Sequence, residues 1–146
     1  MSDIERAREL LTGSATCVLV RDNTVYISHK SGIAPMLDYL GAGISLEGFS
    51  VADRIVGKAA AMLFVRAGIK EAYGEVMSRS GSEFLESHGV GHSSGSQVDI
   101  IINRMGTGMC PMEQTVLGID DFRQAFCALS AKRAALRKNN QPAGKK

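Results

Sequence analysis

Every residue from Ala59 to Val65 is apolar, and the run is entered through a lone cation, Lys58. A segment with that pattern cannot lie on a surface with one face in water. As a helix it must be covered on more than one side, as a helix laid against a sheet would be. The helix is expected over residues 50–67, with Ser50 as its N-cap, Asp53 at its third position and Gly68 just past its end. A chain of 146 residues is close to the commonest domain size and can bury such a core without disulfides. There is no Trp, and aromatics make up only 5% of the residues, so the core is aliphatic and Ala-rich.

The flanking segments read as alternating helices and strands. Residues 2–12 form a helix, with Ser2 and Glu5 in a capping-box pattern and Ile4, Ala7, Leu10 and Leu11 on one face. Residues 15–21 and 24–28 are two strands joined by Asp22-Asn23, a hairpin signal. Residues 33–40 are a short helix with Pro35 in its first turn. Residues 69–77 are a strand, and residues 80–88 an exposed helix with Phe84 and Leu85 inward. The Gly- and Ser-rich stretch that follows reads as a mobile loop, residues 98–102 as a strand and residues 120–136 as the last helix. This gives a single α/β domain over 1–136, a sheet of four or five strands covered by helices. Residues 137–146 read as a disordered basic tail.

Charge supports that division. The six basic residues of 131–146 leave 11 of the chain's 17 for the rest, against all 15 acidic ones. The positive balance is thus confined to the end of the chain, whereas a nucleic-acid protein spreads it over a folded face. No apolar run reaches the length of a membrane span. Three cysteines with no secretory signal point to reduced thiols and a cytoplasmic protein. Cys17 and Cys127 lie in elements that read as core.

Chemistry concentrates in two segments. In Arg104-Met-Gly106-Thr-Gly108-Met-Cys110-Pro-Met-Glu113, Pro111 fits the first position of a short helix. Cys110 is then the N-cap and Glu113 the reciprocal partner of a capping box. A thiol there sits near unpaired N–H groups and the positive end of the helix dipole, both of which favour the thiolate. Gly106 and Gly108 free the backbone to approach a ligand and offer N–H groups to an anion. The bland reading is a turn, a cap and an inert thiol. In the second segment Asp53 and Gly57 share a helix face, and a glycine inside a helix implies that something approaches closely there. Lys58 either snorkels to solvent or enters a pocket as a cation. His88 and His92 are separated by Gly89 and Gly91, which disfavours a helical metal pair, and His29 is isolated.

These segments resemble the bacterial domain-of-unknown-function 1893 family, from about Ile4 to Val116. The resemblance rests on Gly32-Ile-x-Pro35, on Ser50-x-x-Asp53-x-x-x-Gly57-Lys58-Ala-Ala-Ala, and on Asn103-Arg104 followed by Cys110-Pro-Met-Glu113. It implies a three-layer cytidine-deaminase-like fold with a central mixed sheet. A label of iron binding also attaches to the family. Zinc-dependent deaminases of that fold need His- or Cys-x-Glu on one helix and Pro-Cys-x-x-Cys on another, to hold zinc and shuttle protons. Neither motif is present here, which excludes that reaction.

The leading expectation is therefore a small-molecule-binding protein for an anionic or nucleotide-like ligand, with cofactors unknown and a homo-oligomer left open. Asp53, Gly57, Lys58, Arg104, Gly106 and Gly108 are the binding candidates. The first alternative is a cysteine-dependent enzyme or redox protein with Cys110 as nucleophile and Glu113 or Asp53 as proton acceptor. The second is a non-catalytic interaction module. A metal site from Cys110, Glu113 and a histidine ranks last.

Overall fold

In the computed structural model, which describes residues 1–139, the apolar run becomes the central helix of one helical layer. Helix α3 spans Lys58–Ala67, and Ala59 through Phe64 are all buried. It ends at Gly68, whose φ of 77° places it in the left-handed region where a Cβ is disfavoured. The other early elements are α1 (Asp3–Leu10), β1 (Cys17–Arg21), β2 (Thr24–Ser28), α2 (Ala34–Gly41) and β3 (Ser50–Val56). After α3 come β4 (Glu71–Ser78), α4 (Arg79–Ser87), β5 (Gly91–Val98), α5 (Pro111–Thr115) and α6 (Phe122–Asn139).

The strands form one sheet in the order β2-β1-β3-β4-β5. β1 runs antiparallel to both β2 and β3, while β3, β4 and β5 run parallel. The expected mixed sheet flanked by helices is thus observed. Strand alternation sorts the core into two sets. Cys17, Leu19, Val51 and Ala72 face the larger cluster, built with α2, α3, α4 and α6. Val18, Val20 and Ala52 face Ala7 and Leu11 on the other side, with Tyr73 packed against them. Helix α1 covers that second face, with Ser2 as its N-cap accepting from the Glu5 N–H at 3.3 Å.

Three expected elements are corrected. Residues 50–56 are strand rather than the first turns of a helix, so Asp53 and Gly57 share no helix face. The segment Ser-Val-Ala-Asp-Arg-Ile-Val carries three β-branched aliphatics, and it fills the slot between β1 and β4, where its backbone is paired on both sides. Residues 89–96 are expected as a mobile loop, but Gly91–Val98 form the edge strand β5, paired among the described residues with β4 alone. An edge strand open on its far side needs little apolar content, so its Ser and Gly residues carry no strand signal. Residues 98–102 are not a strand beyond Val98. Ile102 makes an isolated bridge with Met109, and the Cys110 N–H donates to the Ile101 carbonyl at 2.9 Å. Apolar content alone does not distinguish a strand from the base of a projecting loop.

The last helix is longer than expected. It runs to Asn139, so Arg137 and Lys138 belong to it rather than to a tail. Residues 140–146 of the expected tail lie outside the described residues. Cys127 is exposed on α6 rather than a core thiol, although its neighbour Phe126 packs against the core. Arg133 of α6 meets Asp38 of α2 at 2.8 Å, and Lys30 reaches the same carboxylate at 2.6 Å. Among the described residues no helix is long and apolar enough to cross a membrane.

Candidate functional site

The parallel strands β3, β4 and β5 all end on one side of the sheet, and α3 and α4 begin there. In open α/β sheets, ligands are received outside the carboxyl ends of the strands. Gly57 joins β3 to α3 as its N-cap, in extended conformation with φ −103° and ψ −170°. Its side chain is only a hydrogen, so it offers no cap. The cap comes from the far end of the sequence. Glu113 of α5 accepts from the Lys58 N–H with Oε1 at 2.9 Å and from the Ala59 N–H with Oε2 at 2.8 Å. Both carboxylate oxygens thereby satisfy main-chain donors at the positive end of the α3 dipole.

This arrangement answers the question that Gly57 raised. A Cβ on Gly57 would lie 2.5 Å from the Glu113 Cδ and 2.6 Å from each carboxylate oxygen. The close approach inferred there is made by the protein's own carboxylate. Gly81, in the first turn of α4, packs closely on the same joint: its Cβ would stand 3.0 Å from the Gly57 carbonyl carbon and from the Val56 oxygen. Ser78 caps α4 by accepting from the Gly81 N–H at 3.0 Å. Lys58 completes the junction. Its Nζ donates to the Val116 carbonyl at 3.0 Å and to Asp120 Oδ1 at 3.2 Å, with only 16% of its side chain exposed.

Gly57, Lys58 and Glu113 are therefore gathered, as a tie between α3 and α5. The reciprocal capping box expected within α5 is not formed, because Glu113 faces α3 and the Cys110 N–H is used by Ile101. Cys110 does occupy the N-cap of α5 and Pro111 its first turn, with the thiol half-buried. Arg104, Gly106 and Gly108 lie exposed at the tip of the loop between Ile101 and Cys110. Asn103 closes that tip: its Oδ1 accepts from the Thr107 N–H and its Nδ2 donates to Thr107 Oγ1, both at 3.1 Å.

Asp53 stands apart from this group. It is buried in the middle of β3, opposite Cys17 of β1. Burial raises its carboxyl to about 7, against hydrogen bonds from the backbone N–H groups of Arg54 and Ile55 and from the Cys17 thiol. Burial likewise pushes the Cys17 thiol well above its usual range, and the neighbouring Asp53 adds to the effect. Cys17 is thus an inert core thiol. His88 stacks on Phe84 at 4.2 Å, and His92 lies 3.7 Å from Glu86. Among the described residues no three His, Cys, Asp or Glu side chains gather as a metal-ligating group. The donor set consequently does not fit a protein-held iron or zinc site.

One polar cluster at this end has almost no signature in the sequence. Arg79, at the start of α4, lies 2.7 Å from Asp99, and Gln97 donates to Ser82 Oγ at 3.2 Å. Arg79, Gln97, Val98 and Asp99 line a hollow of about 320 Å³. Its one sequence signal is Gln97-Val98-Asp99, which carries meaning only once 91–98 is known to be a strand. A larger hollow, about 440 Å³, lies on the α1 face among Glu5, Arg8, Glu9, Leu11, Tyr73 and Glu75. Its three carboxylates repel an anion, and Arg8 is already held over the Tyr73 ring at 4.1 Å.

A family model described as a domain of unknown function, DUF1893, matches residues 6–132. The crystal structure of a DUF1893 family protein from Thermotoga maritima is similar, with a TM-score of 0.78 and 24% identity. The match covers 94% of this chain and 91% of that one. At that identity the likeness speaks for the fold alone. No curated protein matches the sequence.

Proposed function

The chain belongs to the DUF1893 family, and we propose that it is a small-molecule-binding protein whose ligand presents an anionic group at the carboxyl ends of β3, β4 and β5. One observation carries the reading. The first two N–H groups of α3 already receive a carboxylate, that of Glu113, with the Lys58 ammonium in the same junction. A helix start that holds one oxyanion in bidentate fashion is chemically suited to another. Glu113 is then a resident competitor that an incoming phosphate or carboxylate displaces. Arg104, with Gly106 and Gly108 beside it, brings a cation on the exposed loop that leads into Cys110 and α5. Asp53, buried within β3 opposite Cys17, lies apart from that helix start. The deaminase-like description of the fold is compatible with a site at this end of the sheet.

The test is anion binding by isothermal titration with inorganic phosphate and adenosine monophosphate. Glu113→Ala vacates the two N–H groups and should bind at least about tenfold more tightly than wild type, a gain of about 1.4 kcal/mol. Lys58→Met in the same background should abolish the gain. If Glu113→Ala binds neither anion better than wild type, the α3 start is a structural joint and the reading fails.

The cysteine-dependent reading takes Cys110 as nucleophile and Glu113 as proton acceptor. Its support is the half-buried thiol at the N-cap of α5. Both Glu113 oxygens are taken by N–H groups of α3, so the carboxylate serves that helix start and not the thiol in this structure.

A further inference from the structure

We propose that the open edge of β2 joins two copies of this chain in a two-fold symmetric dimer, with the ten strands of the pair in one continuous sheet. β2 is an edge strand, paired among the described residues with β1 alone. The Ser28 carbonyl faces β1, accepting from the Thr16 N–H at 2.8 Å. In an antiparallel ladder the direction of the N–H and C=O groups alternates along the strand. Thr24, Tyr26 and Ser28 therefore bond inward, and the backbone groups of Val25 and Ile27 point out of the molecule.

The side chains on this strand divide in a matching way. Tyr26 is held from one face, stacked on Phe49 with centroids 5.6 Å apart. Val25 and Ile27 pair with Val20 and Val18 and so lie on the face that α1 covers further along the sheet. Helix α1 packs on β1, β3 and β4, and leaves Val25 37% and Ile27 44% exposed. Two β-branched aliphatics on an unguarded edge are the feature that natural edge strands normally avoid. Nothing between Thr24 and Ser28 is charged.

A second copy is the occupant that this strand fits. Place a two-fold axis at Tyr26, so that Tyr26 meets Tyr26. Val25 then lies opposite Ile27 of the second copy, and Ile27 opposite its Val25. These are the residues whose N–H and C=O groups point outward, so both pairs form the hydrogen-bonded kind of cross-strand pair, with aliphatic side chains adjacent on one face. In the same register Asp22 of one copy lies opposite Lys30 of the other, at both ends of the interface. Asp22 is exposed in the turn, and Lys30, 2.6 Å from Asp38, keeps further N–H donors to share. The outward backbone groups, the apolar pairs and the flanking opposite charges all agree on one register, and that register is self-complementary. The other open edge, β5, has no comparable content: its residues are mainly exposed Ser and Gly.

The experiment is sedimentation velocity across micromolar to millimolar protein, with circular dichroism to establish that each variant is folded. Wild type should show a concentration-dependent dimer. Val25→Lys and Ile27→Glu should each weaken it by about tenfold or more, since each places a charge against an aliphatic residue twice per dimer. Mixing the two variants should restore association, because the ammonium introduced in one copy then faces the carboxylate introduced in the other. The unaltered Ile27 of the first and Val25 of the second still meet. Hydrogen exchange on wild type is the independent reading: the Val25 and Ile27 amides should be protected at high concentration and lose protection on dilution. A monomer at millimolar concentration overturns the proposal and leaves the edge to a strand of another protein. A dimer that survives both single substitutions, or a mixture that fails to associate, overturns this register. So does a dimer in which the Val25 and Ile27 amides exchange freely.

Discussion

Replacing Gly57 with Ala should destabilise the protein although the backbone there suits any residue. With φ at −103° there is no left-handed strain to relieve. On backbone entropy and cap preference alone, Ala in place of Gly at this position would change stability by less than about 1 kcal/mol. The structure predicts a larger loss because the new methyl would stand 2.5 to 2.6 Å from the Glu113 carboxyl group. The carboxylate must move, and its bonds of 2.9 and 2.8 Å to the Lys58 and Ala59 N–H groups go with it. Hydrogen bonds to charged groups contribute about 1.5–3 kcal/mol each, and the displaced carboxylate regains water in part. A net loss of about 2–4 kcal/mol follows. Urea unfolding followed by circular dichroism measures it. The decisive arm is a double-mutant cycle with Glu113→Ala. That substitution alone should cost a similar amount, but it also empties the space that the methyl needs. Gly57→Ala in the Glu113→Ala background should therefore be nearly neutral, with a coupling of about 2 kcal/mol or more between the two changes. Additive losses would refute the contact as the reason for a glycine at position 57, and a neutral Gly57→Ala in wild type would refute the carboxylate lock itself.

Three further expectations follow from the same structure. Asp53, raised to about 7 by burial, holds a proton in the folded state that the unfolded chain releases near pH 4, so its contribution to stability is greatest below pH 4 and falls as pH rises to about 7. Asp53→Asn should flatten that part of the stability–pH curve, and an unchanged slope would contradict the burial of an ionisable Asp53. Iodoacetamide should label exposed Cys127 first, half-buried Cys110 more slowly and Cys17 only on unfolding, the order being read by peptide mapping; labelling of Cys17 in the folded protein would contradict its burial in β1. Asp38→Asn should cost about 0.5–1 kcal/mol by weakening the contacts of α2 to Lys30 and Arg133, and less at 1 M salt; a salt-independent loss would point to packing instead.

What the sequence determined by itself were the features that depend on local chemistry. The run after Lys58 demanded a covered helix, Ser2 and Gly68 marked helix ends, Asp22-Asn23 marked a hairpin, and Pro111 placed Cys110 at an N-cap. Each of these follows from a residue's own backbone preference or from its spacing to near neighbours. The missing zinc-ligand motifs were equally legible. Tertiary structure decided the rest. Ser50 and Asp53 have the local signature of a helix start, but the slot between β1 and β4 makes a strand of residues 50–56, because a central strand satisfies its backbone from both sides and propensity is weaker than that. Residues 91–98 have almost no strand propensity and become β5 because β4 offers them a ladder. The partner of Glu113 could not be read from its neighbours either. Spacing along the chain assigns it to its own helix, whereas the fold brings α3 close enough for its first two N–H groups to take the carboxylate. That contact joins residues 55 and 54 positions apart in sequence, and only the folded chain, by bringing them together, gives Gly57 its reason to be a glycine.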